Sequence, residues 1–293
     1  MSARKITCTN EDNIQIILTD QFQPWMLAMC DGIYEINNNV STSENTMTDG
    51  NTLQGSTARM RNIVLTLRDH PLGDHQENRS LLYRVFKAKK TGRFDYEEQG
   101  NIKSINYTVE SVSISSEERS RIATVSLLCP DPFFTSPQDI TVVMAGWVGD
   151  FEWQHEFPAA GEEFGHKVTE KLKTIENEEP VDGIGMTITI EAAGPVSNVS
   201  LTHVEQGISM EIGTTENPLD LITGDKIIIT THTNNKHVYL EQDGVRTEIN
   251  GYLSEDSEFI QLMTGSNTLG YEAESGEDYL SVSISYRYRF VGV

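Results

Sequence analysis

The densest run of side chains able to hold a metal or move a proton is Asp69-His70-Pro71-Leu72-Gly73-Asp74-His75, with two carboxylates and two imidazoles in seven residues. A metal centre needs such donors on rigid elements that face one another, and one short loop offers no opposing element. Asp74 also stands three residues before Glu77, the spacing of a capping box, so the run is read as the lead-in to a helix. His232 and His237 flank Asn234-Asn235, an exposed turn by composition, and their spacing suits neither a helix face nor a strand face. No Gly-x-Ser-x-Gly elbow, Walker loop or His-Glu-x-x-His is present. The many carboxylates are spread over loops, where they solvate a surface rather than form the paired acid and base of a glycosidase. Cys8, Cys30 and Cys129 are odd in number and lack metal-type spacing, and read as buried or half-buried thiols in a reducing cytosol. The expectation is a protein without catalytic residues, metal or cofactor.

Length and charge set the frame for the elements. A chain of 293 residues is most naturally two domains. The net charge of −22 is unevenly placed: through Phe134 there are 14 basic and 17 acidic residues, and beyond it 8 and 27. The second part would repel phosphates, which argues against a grip on nucleic acid. Met1 to Asn10 lacks the apolar stretch of a signal peptide, and no run is long and apolar enough to span a bilayer, so no membrane insertion is expected.

In the first part, Asn13 to Leu18 alternates like a half-buried strand, and Phe22 to Met29 is apolar. Asn37 to Gln54 reads as a long exposed excursion with a turn at Asp49-Gly50. Arg61 to Arg68 is the cleanest strand, with Ile63, Leu65 and Leu67 on one face. A helix near 74–90 follows, capped by Asp74, in which Leu81, Leu82, Val85 and Phe86 recur at helical spacing to pack on the sheet. A hairpin turns at Gln99-Gly100-Asn101, Glu117 to Arg121 is a charged turn, and Ile122 to Cys129 is a further strand. Then comes Pro130-Asp131-Pro132. Two prolines fix φ and remove donors, and each restrains the residue before it. Cys129, Pro130, Asp131, Pro132, Phe133 and Phe134 therefore read as a stiff domain joint, pinned to a core by the two aromatics.

After the joint, 135–181 reads as a connector, with a short strand at Ile140 to Ala145 and a charged run, Glu170 to Glu179, as a helical turn or extended arm. From 182 to 293 short strands repeat: Met186 to Ile190, Val199 to Val204, Gly207 to Ile212, Asp225 to Thr230, His237 to Glu241, Val245 to Ile249, and a long terminal strand, Tyr279 to Phe290. Such spacing without helices suggests a β-sandwich. A sugar-binding platform would need exposed aromatics. Trp25, Trp147 and Trp153 precede these strands, which leaves Tyr252, Tyr271 and Tyr279, each more simply read as packing.

The run Ser126 to Phe134 resembles the closing signature of the N-terminal domain of phage distal tail proteins. The order around it is similar too: a strand like Arg61 to Leu67, a helix with Glu77, Arg79, Leu82 and Tyr83, a hairpin, then the Cys-Pro-Asp-Pro-Phe closure. Further landmarks resemble the family: Ala193 to Asn198, Leu221 to Asp225, Gln261 to Asn267, and Tyr286, Tyr288, Gly292 and Val293. One turn departs, with Asn177-Glu178-Glu179-Pro180 standing where Asn-x-Gly-Asp is usual. The resemblance implies a mainly β protein: residues 1–134 as a ring-forming β-barrel or sheet domain with one packed helix, and 182–293 as a galectin-like β-sandwich. It further implies a non-enzymatic hub in the virion tail, assembled in the bacterial cytoplasm as a homo-hexamer through which DNA passes. Its expected partners are the tail tube protein, a tail-associated lysin or tip protein and, in some phages, receptor-binding proteins. A carbohydrate-binding module for host adhesion is the alternative.

Overall fold

The computed structural model describes residues 4–44, 47, 49–115, 121–149 and 165–293. Glu117 to Ser120 of the expected charged turn, and Trp153, lie outside the described residues. The chain forms two compact units, Met1–Pro137 with Arg289–Val293, and Gln138–Tyr288. It crosses from one to the other twice.

The first unit is an antiparallel sheet in the order Gln15–Leu18, Lys5–Asn10, Thr91–Glu98, Asn101–Ile114, Ile122–Cys129, Arg61–Asp69, Trp25–Asp31. A bridge between Thr19 and Met26 ties the two outermost strands, so the sheet curls back on itself. Alternation makes this possible. In Arg61–Asp69, Ile63, Leu65 and Leu67 are fully buried while Asn62 and Arg68 face solvent. The turn between Thr91–Glu98 and Asn101–Ile114 places Gln99 at φ 54° and Gly100 at φ 84°, the two left-handed residues a tight hairpin needs. The helix His75–Val85 starts at Asp74, whose carboxylate accepts from Gln76 N and Glu77 N. It buries Asn78, Leu82 and Val85.

The expected excursion after Asn37 is a regular two-stranded ribbon. Asn38–Glu44 pairs with Asn51–Ala58, and every residue of both strands is exposed. Its Asn, Ser and Thr content hides the strand signal, because neither face is apolar.

The second unit is a β-sandwich. One sheet runs Gly165–Thr169, Ile140–Gly149, Leu280–Tyr286, Met186–Ala192, Lys226–His232, Asn235–Gln242, Val245–Glu248. The other runs Leu172–Asn177, Gly265–Ser275, Val196–His203, Ile208–Ile212, with Asp220–Leu221 beside Val196–His203. Ile188, Ile229 and Ile284 from one face meet Leu201, Met210 and Tyr271 from the other in a single core.

Two expectations need correction here. Residues 135–181 are not a connector. Ile140–Gly149 pairs with Leu280–Tyr286, and Leu172–Asn177 pairs with Gly265–Ser275, so both are integral strands of the sandwich. The terminal run is not one strand either. Leu280–Tyr286 belongs to the second unit, whereas Arg289–Phe290 pairs with Phe134–Thr135 in the first. Local alternation continues through both pieces, and nothing local marks the change of partner.

Candidate functional site

The described residues offer little to chemistry. The buried Asp69 carboxylate receives His75 Nδ1 at 2.6 Å and Asn78 Nδ2 at 2.6 Å, while Trp25 Nε1 donates to the Asn78 carbonyl at 3.1 Å. The acidic end of the Asp-His loop is thereby spent on fixing the helix start, and Asp74 is spent on its cap. His70 Nδ1 accepts from Leu72 N at 3.0 Å, and its ring meets Phe22 edge-on. Among the described residues no cluster of His, Cys, Asp or Glu has the geometry to hold a metal ion. His237 bonds Glu248 at 2.7 Å and His232 faces Asn235 across the strand pair, so these two imidazoles do not converge. All three thiols are free and buried in the first unit. Burial pushes Cys30 and Cys129 up to about 12 and raises Cys8 well above its ordinary value, so none is a thiolate near neutral pH.

The Pro-Asp-Pro corner is where long-range contacts of the first unit converge. Cys129 closes the strand Ile122–Cys129 and is buried; Pro130 is exposed, Pro132 buried. Asp131 Oδ1 accepts from Phe133 N at 3.2 Å and from Arg289 Nη2 at 2.6 Å. The Arg289 guanidinium also lies 4.4 Å from the Phe133 ring centre. Phe133 is therefore half-buried beneath an arginine, and Phe134, fully buried, is the aromatic that enters the core. The chain leaves the unit after Pro137, three residues beyond Phe134.

Sequence reasoning missed the organiser of this corner. Arg61 is only 5% exposed, yet among the described residues no carboxylate forms an ion pair with it. Its Nε donates to the Pro132 carbonyl at 2.6 Å, Nη1 to Gly32 at 2.7 Å, and Nη2 to Val291, while the guanidinium lies 5.0 Å from the Phe134 ring centre. Burial lowers its basicity from the ordinary value. Three carbonyls satisfy three donors of the planar fork, a geometry lysine lacks. Gly32 sits at φ 84°, and a Cβ there would come within 2.0 Å of the Asn62 carbonyl oxygen, so only glycine fits. Lys103 completes the clasp, donating to Gly292 at 3.0 Å over the Phe290 ring. The one early signal was an arginine at an inward position of the strand, in phase with Ile63, Leu65 and Leu67.

Helix residues divide cleanly. Leu82, Val85 and Phe86 are buried and Leu81 half-buried, with Phe86 just past the helix as its C-cap. Arg79, Tyr83 and Arg84 are exposed.

In the second unit two buried asparagines hold strand ends. Asn267 Oδ1 accepts from Met263 N at 2.7 Å and from His203 Nε2 at 3.0 Å; its Nδ2 donates to Gly265 at 2.8 Å, Met263 at 2.9 Å and Ile175 at 3.3 Å. Asn177 donates to Val181 and Met263, each at 3.2 Å, and accepts from Glu179 N. The departing tetrapeptide thus keeps the side chain that shapes its turn. Tyr271 is buried and Tyr252 half-buried, while Tyr279 stays 49% exposed over Gly194.

These features can be set beside known proteins. The crystal structure of the Dit protein of phage SPP1, described as a paradigm of the hub adsorption apparatus of phages infecting Gram-positive hosts, shares the fold. Its TM-score is 0.68 at 10% identity, over 97% of this chain and 99% of that one. A chain of the phage p2 baseplate in its activated conformation with Sr matches at TM-score 0.52 and 9% identity, over the full length of both. No curated protein matches the chain in sequence. Residues 183–290 match the family model of the siphovirus-type tail component, C-terminal domain. The expected resemblance to phage tail components is thus borne out in sequence over residues 183–290, and the likeness over nearly the whole chain is one of fold.

Proposed function

We propose that this protein is a non-enzymatic structural hub at the distal end of a phage or prophage tail. In this reading six copies form a ring, with first units around the DNA channel and galectin-like second units outside. The ring joins the tail tube protein to a lysin or tip protein and, in some phages, to receptor-binding proteins. The observation that carries the reading is the ribbon Asn38–Ala58. A two-stranded ribbon exposed on every residue is marginal in water, and Val40 and Leu53 leave apolar surface uncovered on it. Such a ribbon gains its stability from a neighbouring chain. Among the described residues no helix is long and apolar enough to cross a membrane.

Size exclusion with light scattering, followed by electron microscopy, tests this: hexamers or stacked hexamers are expected at high concentration. A monomer at every concentration that is also absent from tail particles would end the reading. The half-exposed Tyr279 ring favours the alternative, a carbohydrate-binding module. That alternative predicts glycan binding by the monomer, lost in Tyr279→Ala.

A further inference from the structure

Cations are scarce in this chain, and many are already paired with carboxylates, as in Lys5–Glu97, Lys90–Glu11 and Arg287–Asp139. The outer arc of the helix His75–Val85 is different. Asn78, Leu82 and Val85 face the core, and the opposite arc carries Arg79, Tyr83 and Arg84 into solvent. Tyr83 is 48% exposed. No described residue forms an ion pair with either arginine, and Lys89, just beyond the helix, is also exposed. Holding two unpaired arginines beside an exposed tyrosine does nothing for this unit's own core. These are the residue types that carry interface energy.

The charge of the whole chain restricts what can cover this arc. Copies with a net charge of −22 repel one another, and any close association must set the few free cations against carboxylates. Beyond Phe134 the chain offers 27 acidic residues against 8 basic ones. DNA is a poorer occupant, because tracking a phosphate backbone takes a continuous basic stripe, and here Glu11 and Asp12 stand beside Lys90 and Lys87 past the helix end. We infer that the arc formed by Arg79, Tyr83 and Arg84 docks an acidic surface of a second copy of this chain, as the cationic half of a head-to-tail contact. Unlike surfaces meeting in this way close into a ring when the rotation permits. The inference rests on the ring reading above and names the contact within it.

The test compares the full-length chain with Arg79→Glu/Arg84→Glu by light scattering at matched concentrations, with thermal melts of each. The expected result is self-association at least tenfold weaker, an unchanged melting temperature, and a wild-type assembly that loosens as sodium chloride is raised. Should the double reversal disturb folding, Arg79→Gln/Arg84→Gln and Tyr83→Ala serve instead, each expected to weaken assembly. Wild-type rings with equally stable variant rings would overturn this inference and leave the hub reading standing. A wild type that never assembles would remove both. Retardation of short duplex DNA by the wild type and not by the variant, with assembly unaffected, would give the arc to nucleic acid and overturn the inference too.

Discussion

The two units solve different problems with similar strands. The second is self-sufficient: two sheets bury one large apolar core, and buried Asn177 and Asn267 satisfy the backbone where strands end. The first leaves much unresolved within itself, with a bare ribbon, an arginine-bearing helix arc and a buried guanidinium held by carbonyls from three segments. A unit that holds together alone can carry a large negative charge on its surface. The first part of the chain stays near neutrality, with 14 basic against 17 acidic residues through Phe134, a balance that would let copies approach one another if the proposed ring forms.

Substitutions can break this contrast, beginning with the largest effect. Phe86 is buried against Tyr107, with ring centres 6.2 Å apart, and Phe86→Ala should cost about 3–5 kcal/mol. Amide exchange should then quicken across the first unit, and ring yield should fall with soluble yield; exchange confined to the helix would show that the helix is not part of the cooperative core. In the second unit Asn267→Ala strips one acceptor and one donor group from a buried network, at roughly 1–3 kcal/mol for each group left unpaired. Its melting temperature should drop while the ribbon and corner of the first unit keep their exchange pattern. Equal loosening of both units would erase the contrast drawn above.

Smaller effects sharpen it. Asp74→Ala loses only the helix cap and should cost about 1 kcal/mol, leaving assemblies intact. A chelator should not change the melting temperature of the wild type; a chelator-induced drop erased by Asp74→Ala or His70→Ala would instead restore a metal centre to that loop. At the smallest scale, the hydrogen bond from Arg287 holds the Asp139 carboxyl below its ordinary value. A depressed folded value means stability that is present above the ordinary carboxylate range and lost as pH falls through the lowered value. Acid titration of Arg287→Gln should therefore show a shallower loss than the wild type below about pH 4.

Much of the fold was legible wherever a strand keeps one dry face. Arg61–Asp69, the hairpin at Gln99-Gly100 and, apart from the two-residue Asp220–Leu221, the strands from Met186 to Glu248 announce themselves by period or turn chemistry. Lys5–Asn10 escaped because four of its six residues are polar or charged, although its alternate residues are buried. Gly265–Ser275 escaped because glycine, serine and asparagine read as loop, yet it pairs along both edges. The partner change after Tyr286 and the clasp on Arg61 depend on residues up to 230 positions apart, which no local window contains. The ribbon and helix arc proposed above as contact surfaces left no local mark, since exposed Asn, Ser and Arg carry no periodic signature.

The register of the last short strand has a consequence for how the chain is made. Arg289 lies directly opposite Thr135, so the points where the chain leaves and re-enters the first unit are neighbours. The second unit is in effect an insertion into a loop of the first. A ribosome adding about 5–20 residues per second needs roughly eight to thirty seconds to cover that insertion. For that interval Arg61 waits for the Val291 carbonyl and Phe134 for its strand partner. The same adjacency makes this loop a graft point: a few glycines joining Pro137 to Arg289 should close the first unit by itself, and another domain placed there would inherit a ready-made pair of anchors.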